Sequence, residues 1–171
     1  IGSRDLARGR AAAEKLGARA VQLDITDDAS VAAAAATIEA LDVLVNNAAV
    51  EERGDGNAVI GPVDVTADLV RTTFDTNVFG TVRVLHAFLP LLQRSAAPVV
   101  VNVSSGLGSL TVVSSIPADV YPGVAYPASK AAVNMITVQY AKAFPAMRIN
   151  AADPGFTKTD LNGSTGGGGT A

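Results

Sequence analysis

Short apolar runs alternate with longer helix-compatible stretches along most of the chain. The runs are rich in β-branched residues and are continuous rather than alternating, which is typical of strands buried on both faces of a parallel sheet. They lie at residues 19–23, 41–45, 98–103 and 148–152, and Ile1 with Gly2 resembles the end of an earlier strand. The predicted helices span residues 5–16, 28–40, 68–93 and 127–144. This alternation predicts an α/β fold with a doubly wound parallel sheet that carries helices on both faces.

Polar residues follow five successive predicted strands at the point where each strand ends. Ligands of open parallel sheets bind outside the carboxyl ends of the strands, so we expect a binding crevice at this edge. The polar residues at the strand ends are Ser3, Arg4, Asp24, Asn46, Asn47, Ser104, Ser105 and Asp153.

Composition narrows the classes of function. The chain has 171 residues, 49% hydrophobic and 17% charged, which suits one folded domain with a sizeable core. A net charge of -3 argues against a nucleic-acid partner, and the absence of cysteine with a single histidine, His86, argues against a metal site. No apolar run approaches the roughly 18 residues of a membrane span, and there is no signal peptide. We therefore expect a cytoplasmic protein without a membrane partner.

Tyr126 and Lys130 form the sharpest local feature. Their spacing of four residues places them on one face of a predicted helix. A phenol titrates near 10, and a nearby ammonium favours its ionised form. Tyr126 could then donate a proton to a carbonyl oxygen as hydride reaches the carbon, while Ser105 hydrogen-bonds the same oxygen. By itself, the pair is equally compatible with a solvent-facing tyrosine beside a lysine.

Five segments resemble the motifs of the short-chain dehydrogenase/reductase family, in the family's order and over essentially the whole chain. They are Leu44-Val45-Asn46-Asn47-Ala48, Thr76-Asn77-Val78-Phe79-Gly80-Thr81, Val101-Asn102-Val103-Ser104-Ser105, Tyr126-Pro127-Ala128-Ser129-Lys130 and Pro154-Gly155-Phe156-Thr157-Lys158-Thr159. The resemblance implies a Rossmann-like domain that transfers hydride between a nicotinamide cofactor and a small carbonyl or alcohol substrate.

The resemblance also implies the roles of four catalytic residues. Tyr126 would be the proton donor and acceptor. Lys130 would lower the pKa of Tyr126 and bind the nicotinamide ribose. Ser105, as the last serine of the strand end, would orient the substrate carbonyl, and Asn77 would hold a water that links Lys130 to bulk solvent.

The same resemblance implies a set of cofactor-binding residues. Asp24 and the backbone of Ile25 would contact adenine, and Asn47 with Ala48 would contact the adenosine side. The motif of Pro154 and Gly155 would place Thr157 and Thr159 at the nicotinamide carboxamide and the phosphates. Asn46 either contacts the cofactor or holds neighbouring strands together, and the sequence leaves both roles open.

The choice of cofactor depends on Ser3 and Arg4. An acidic residue at this strand end would bind both ribose hydroxyls and repel a 2′-phosphate, whereas a hydroxyl and a guanidinium suit a phosphate. Residues 3–9 also resemble the equivalent stretch of NADPH-dependent carbonyl reductases in the family. Asp5 is expected to cap the next helix. We therefore predict NADP(H) rather than NAD(H).

Several departures from the family pattern limit the resemblance. The glycine-rich phosphate loop, with its strand and helix, and the C-terminal substrate lid are not in the sequence, and Ala49 replaces a glycine. The chain also begins without methionine, so we expect residues 1–171 to be one domain of a larger protein. Residues 162–171 would be the flexible start of the lid, and residues 106–125 should border the substrate pocket.

Two other functions stay open at this point. The missing phosphate loop would suit a non-catalytic, Rossmann-like nucleotide-binding or regulatory module. A nucleotide-sugar epimerase would also use the Tyr-Lys pair. His86 is expected on a helix surface or at a subunit contact, and the oligomeric state stays open between homodimer, homotetramer and monomer.

Overall fold

Strands and helices alternate along the part of the chain that the structure, a computed structural model, describes: residues 1–157, Thr159 and Leu161. The strands are β1 Gly2–Ser3, β2 Val21–Gln22, β3 Val43–Asn46, β4 Val99–Val103 and β5 Arg148–Ala152. The α-helices are α1 Leu6–Lys15, α2 Asp28–Ala36, α3 Ala67–Phe74, α4 Thr81–Leu92, α5 Leu110–Ser115 and α6 Ala125–Ala143. All strand pairs are parallel, which confirms the predicted α/β class. The predicted start of a lid at 162–171 lies outside the described residues.

The described strands form two sheets rather than one. Strands β3, β4 and β5 form a three-stranded sheet in that order, and β1 pairs only with β2. A cleft of about 540 Å³ lies between them and is lined mainly by apolar side chains. Val43 and Val45 of β3 line this cleft and are 52% and 54% exposed.

Helix α4 connects two hydrophobic clusters because apolar residues lie on two of its faces. Val84, Phe88 and Leu91 pack with Val31 and Ala34 of α2. Leu85 and Leu92 pack instead with Val100 and Ile149 of the three-stranded sheet and with Met147, which precedes β5. The second cluster therefore fixes α4 beneath the sheet whose strand ends carry most of the predicted site.

The helix predicted over residues 68–93 is interrupted. A π-helical turn at Asp75–Gly80 joins α3 to α4 and buries Asn77. Such turns are rare and occur often at functional sites. At α1, the Asp5 carboxylate accepts a hydrogen bond from the Arg8 N–H at 3.0 Å, which confirms Asp5 as the helix cap.

Candidate active site

A cavity of about 880 Å³ lies at the carboxyl end of the three-stranded sheet. It is bounded by the ends of β3, β4 and β5, by the first turn of α6, and by the loops that follow β3 and β4. The predicted site residues that line it are Asn47, Ala48, Ser105, Tyr126, Lys130, Pro154, Gly155, Thr157 and Thr159. The structure therefore brings together most of the residues that the sequence singled out.

Ser105 and Tyr126 meet in this cavity. Ser105 lies two residues beyond the end of β4, and its hydroxyl is close enough to the Tyr126 phenol to lower the pKa of that group. The Ser105 Oγ also accepts a hydrogen bond from the Leu107 N–H at 3.2 Å. This second contact fixes the hydroxyl beside the phenol, where both groups can reach one substrate oxygen.

Ser104 occupies a different environment. It is buried, and its hydroxyl donates to the Asn134 Oδ1 at 2.6 Å, within the packing between β4 and α6. Successive residues of an extended segment point to opposite faces, so only one of the two serines faces the cavity. The geometry supports Ser105 for the substrate-binding role.

Lys130 lies one helical turn beyond Tyr126 and is almost completely buried, with 3% exposed. Its Nζ donates to the Val103 carbonyl at 2.7 Å and lies 5.5 Å from the centre of the Tyr126 ring. Burial lowers the pKa of Lys130 to about 8. The ammonium therefore remains mostly protonated at neutral pH but gives up its proton more readily than an exposed lysine.

The pKa of Tyr126 departs from the sequence prediction. Burial, the Glu51 carboxylate and the Asp153 carboxylate raise the pKa of Tyr126 to about 12, and the Ser105 hydrogen bond lowers it only partly. The sequence predicted a lowered pKa because of Lys130. In the structure, burial and the two carboxylates hold the net pKa above its ordinary value, while the contribution of Lys130 stays a prediction.

Asn77 links the π-helical turn to two other parts of the site. Its side chain donates to the Val50 carbonyl at 2.9 Å and accepts from the Val50 N–H at 2.8 Å. It also donates to the Ser129 Oγ at 3.0 Å, and Ser129 donates to the Tyr126 carbonyl at 2.7 Å. Asn77 thus ties the segment after β3 to the first turn of α6, while its role in holding a water stays a prediction.

A close approach between two elements requires glycine at position 108. Gly108 ends a 3₁₀ turn, Gly106–Gly108, that directly follows Ser105. A Cβ at Gly108 would lie 2.8 Å from the carbonyl carbon of Lys130. Without a side chain here, the turn packs directly on α6, and this contact sets the distance between Ser105 and the Tyr-Lys face of the helix.

A buried polar chain beneath the site was not predicted. The Asn46 Nδ2 donates to the Asn102 Oδ1 at 2.8 Å, and the Asn102 Nδ2 donates to the Thr137 Oγ1 at 2.9 Å. This chain joins β3, β4 and α6. It supports the structural role for Asn46, which the sequence left open against a cofactor contact.

Glu51 and Arg53 on the cavity wall were also missed, whereas Tyr121 lies in the segment predicted to border the pocket. Glu51, Arg53 and Tyr121 line the cavity and contact one another. The sequence placed Tyr121 in the pocket-bordering segment 106–125 but gave no sign that it meets Glu51, because the two residues are far apart along the chain. Leu107, Val112, Ile116 and Val120 of this segment line the cavity as well.

The remaining predicted cofactor residues lie toward the two-stranded sheet. Ile25 lines the cleft between the sheets, and Asn47 with Ala48 lines both the cleft and the cavity at the carboxyl end of the three-stranded sheet. The two spaces are therefore adjacent. Ser3, Arg4 and Asp24 line neither of them.

Asp24 and Arg4 lie near each other at the end of the two-stranded sheet. The Asp24 carboxylate accepts hydrogen bonds from the Thr26 N–H at 2.9 Å and the Thr26 hydroxyl at 2.7 Å. These bonds, with a smaller effect of the Arg4 charge, keep the pKa of Asp24 below its ordinary value. The Ser3 hydroxyl donates to the Asp5 carbonyl at 2.7 Å.

The donor groups and the two adjacent spaces fit a nicotinamide dinucleotide. An ammonium and two hydroxyls suit the polar ribose and carboxamide of its reactive end. The apolar cleft beyond Asn47 and Ala48 gives a long ligand a second space, toward the end of the sheet that carries Arg4 and Asp24.

Among the residues that the structure describes, none of the helices combines the length and the apolar character that a membrane span requires.

The parallel α/β fold brings a serine, a tyrosine and a lysine together in one cavity at the carboxyl edge of its three-stranded sheet. The family model for short chain dehydrogenases matches residues 2–167. The chain therefore belongs to the short-chain dehydrogenase/reductase family.

Individual comparisons agree with this assignment. The chain is 37% identical over 183 residues to a short-chain dehydrogenase/reductase of Aspergillus fumigatus, covering 92% of this chain and 67% of that protein. The NADPH-bound carbonyl reductase from chicken fatty liver matches with a TM-score of 0.79 at 26% identity, covering 95% of this chain and 67% of that one. A 3-ketoacyl-(acyl-carrier-protein) reductase from Brucella melitensis, complexed with NADH, matches with a TM-score of 0.81 at 25% identity, covering 96% and 67%. The chain thus spans about two thirds of the length of these proteins.

Proposed function

We propose that the protein is an NADP(H)-dependent oxidoreductase that interconverts a small carbonyl compound and its alcohol, with Tyr126 as the proton donor and acceptor. The observation that carries this proposal is the convergence of three groups on one cavity. Ser105, Tyr126 and Lys130 all line it, and the Nζ of the buried Lys130 lies 5.5 Å from the centre of the Tyr126 ring.

The mechanism follows from these positions. Ser105 and Tyr126 both hydrogen-bond the substrate oxygen and so fix the carbonyl in the cavity. When bound, the nicotinamide cofactor supplies hydride in reduction and accepts it in oxidation. Tyr126 gives its proton to the oxygen during reduction and takes it back during oxidation. The Lys130 ammonium stabilises the phenolate that forms when Tyr126 gives up its proton. Asn77 holds the first turn of α6 in place.

The cofactor would extend from the catalytic cavity toward the two-stranded sheet. Lys130, Pro154, Gly155, Thr157 and Thr159 would hold its nicotinamide half, and Asn47, Ala48, Asp24 and Ile25 its adenosine half. Arg4 and Ser3 favour a 2′-phosphate because a guanidinium pairs strongly with phosphate oxygens. The two solved structures described above hold NADPH and NADH respectively, so the preference here depends on Arg4.

The substrate would be an apolar carbonyl compound or alcohol. Leu107, Val112, Ile116 and Val120 provide an apolar wall opposite the polar catalytic groups. Ligand sites of this kind use apolar lining for affinity and a few polar groups for orientation.

We propose a single domain over residues 1–171.

The first experiment is a thermal-shift titration with NADPH and, separately, with NADH. At 100 times its Kd, a cofactor should stabilise the chain by about 2.7 kcal/mol. Stronger stabilisation by NADPH than by NADH at equal concentration is expected. No stabilisation by either cofactor would overturn the proposal for this chain.

The second experiment measures NADPH oxidation with a panel of aliphatic, aromatic and cyclic ketones. Tyr126→Phe should lose about 10²- to 10⁴-fold in kcat while keeping its stabilisation by NADPH. Tyr140→Phe is the matched control, because Tyr140 packs on Phe144 away from the cavity and its variant should keep full activity. Stabilisation by NADPH without turnover of any ketone would indicate a non-catalytic nucleotide-binding module instead.

A further inference from the structure

One guanidinium joins three separate parts of the fold. Arg83 lies on α4, and its Nε donates to the Asp28 Oδ1 at 3.0 Å, at the start of α2. Its Nη1 donates to the Oδ1 of Asp75 at 2.9 Å and to its carbonyl oxygen at 3.3 Å, at the start of the π-helical turn. The same Nη1 donates to the carbonyl oxygen of Ile25 at 3.4 Å, in the segment after β2. Arg83 therefore links that segment to the turn that carries Asn77.

The peptide group between Ile25 and Thr26 is held from both sides. The Thr26 N–H donates to the Asp24 carboxylate at 2.9 Å. The Ile25 carbonyl and the Thr26 N–H belong to one planar peptide group. Arg83 holds the carbonyl side of this group, and Asp24 holds its N–H side. The two contacts together fix the orientation of the peptide group.

The side chain of Ile25 packs on the same π-helical turn, at Gly80. A Cβ at Gly80 would lie 2.7 Å from the Ile25 Cδ1 and 3.2 Å from the Ile25 carbonyl oxygen. The backbone of the turn approaches Ile25 this closely because Gly80 has no side chain. Both residues also line the cleft between the two sheets. The carbonyl and the side chain of Ile25 thus meet one turn, through Arg83 and through Gly80.

The two ion pairs of Arg83 differ in how strongly solvent screens them. The Asp28 side chain is 87% exposed, and an exposed ion pair contributes little. The Arg83 and Asp75 side chains are 23% and 42% exposed, so their attraction is screened less. Asp75 therefore fixes the guanidinium, and the Ile25 carbonyl is the group that the guanidinium holds in place.

We propose that Arg83 is a positioning residue for the adenosine half of the cofactor. It holds residues 24–28 against the π-helical turn, so that Asp24 and the Ile25 backbone are in place before the cofactor binds. This inference rests on the proposed function, which assigns Asp24 and Ile25 to the adenosine half. A segment that is ordered beforehand loses less conformational entropy on binding. Because NADPH and NADH share the adenosine group, loss of Arg83 should weaken both equally.

The first test measures amide hydrogen exchange by NMR without any cofactor. In Arg83→Gln, the Thr26 amide should exchange about fivefold faster, because the segment opens more often. The Val50 amide, which donates to Asn77 in the same turn, should keep its rate. Arg71→Gln is the matched control, since the Arg71 side chain is 68% exposed on α3 and its loss should leave both rates unchanged.

Two outcomes of this test would overturn the inference. An unchanged Thr26 rate in Arg83→Gln would show that Arg83 does not hold the segment. Equal acceleration of the Thr26 and Val50 amides would show that Arg83 supports the whole fold instead.

The second test measures the Kd of NADPH, NADH and two mononucleotide fragments by NMR titration. Arg83→Gln should raise the Kd of NADPH, NADH and adenosine monophosphate by the same factor, about fivefold. The Kd of nicotinamide mononucleotide should stay unchanged. Equal weakening of both fragments, or of neither, would contradict a role at the adenosine half. A wild-type chain that binds none of the four compounds would refute the proposed function, while the exchange of Thr26 still decides whether Arg83 holds the segment.

A loss of folding in Arg83→Gln, detected by circular dichroism, does not prevent the test. Asp75→Ala leaves Arg83 in place but removes the carboxylate that fixes its Nη1. The Thr26 amide is expected to exchange faster in this variant as well. An unchanged rate in Asp75→Ala would contradict the proposed role of Arg83.

Discussion

The three-stranded sheet and the two-stranded sheet are covered to very different extents. In β4, Val100 and Asn102 are 1% and 0% exposed, and α4 and α6 pack against the sheet. Strands β1 and β2 have only two residues each, and none of their residues is buried. The residues that we propose for catalysis lie at the end of the first sheet and on α6, and Ser3 and Arg4 lie at the end of β1 in the second.

This difference separates the residues that we propose for the reaction from those that we propose for selection of the cofactor. Ser105, Tyr126 and Lys130 are fixed by contacts within the three-stranded sheet and α6, such as the hydrogen bond from Lys130 to Val103. The residues that would distinguish NADP(H) from NAD(H) depend on a small sheet with little buried area. Changes in one region should therefore leave the other largely intact, and three measurements test this.

The largest expected effect compares two valines on neighbouring strands. Val100→Ala removes two buried methyl groups from the core beneath the catalytic cavity and should lower the free energy of unfolding by about 2 kcal/mol. Val45→Ala, at the exposed edge of β3, should cost less than about 0.5 kcal/mol. Urea denaturation measures both values, and equal losses would show that the edge of β3 is as well covered as β4.

The sequence predicted the parts of the fold that depend on continuous local patterns. Strands β4 and β5 lie where the β-branched runs predicted them, within one residue. The predicted strand at 19–23 shortens to Val21–Gln22 because its partner β1 has only two residues to pair with. The interruption of helix 68–93 was not predictable, since it accompanies the hydrogen bonds between Asn77 and the distant Val50.

The same distinction holds for the candidate site. Tyr126 and Lys130 were predictable because a spacing of four residues places them on one helix face. Ser105 was found through its place at a strand end and its resemblance to the family motif. The contact between Tyr121 and Glu51 joins residues 70 positions apart, and no local pattern encodes it. The raised pKa of Tyr126 follows from burial and from the charge of Glu51, which lies far from Tyr126 along the chain, so no local pattern predicts it; the catalytic role of Tyr126 stays a prediction.

The second measurement uses the pH dependence of the free energy of unfolding to probe the better-covered region, where Lys130 is buried. The pKa of Lys130 falls from 10.5 to about 8 on folding, so the unfolded chain binds more protons between these pH values. Stability must therefore rise with pH in this window, by about 2 kcal/mol between pH 8 and pH 10. The cost of burying the charged ammonium is fully present below pH 8. The pKa of Tyr126, raised to about 12, acts in the opposite direction only above pH 10.

Urea denaturation at several pH values detects this rise and assigns it to one residue. Lys130→Met should abolish the rise, because its side chain does not titrate. Lys142→Met should retain it, since Lys142 is exposed in the last turn of the same helix. A rise that persists in Lys130→Met would mean that another group causes it.

The smallest expected effect concerns the two-stranded sheet. Arg4→Gln removes the cation that we propose for the 2′-phosphate but keeps a polar side chain of similar length. The Kd for NADPH should rise about tenfold, the loss of one charge-assisted contact, while the Kd for NADH stays unchanged. Arg10→Gln is the matched control, because it removes the same charge from an exposed position on α1 and should alter neither Kd. Equal weakening of both cofactors in Arg4→Gln would show that Arg4 supports the small sheet rather than the phosphate. The selection of the cofactor would then have to reside in the three-stranded half, and the separation between the two regions would fail.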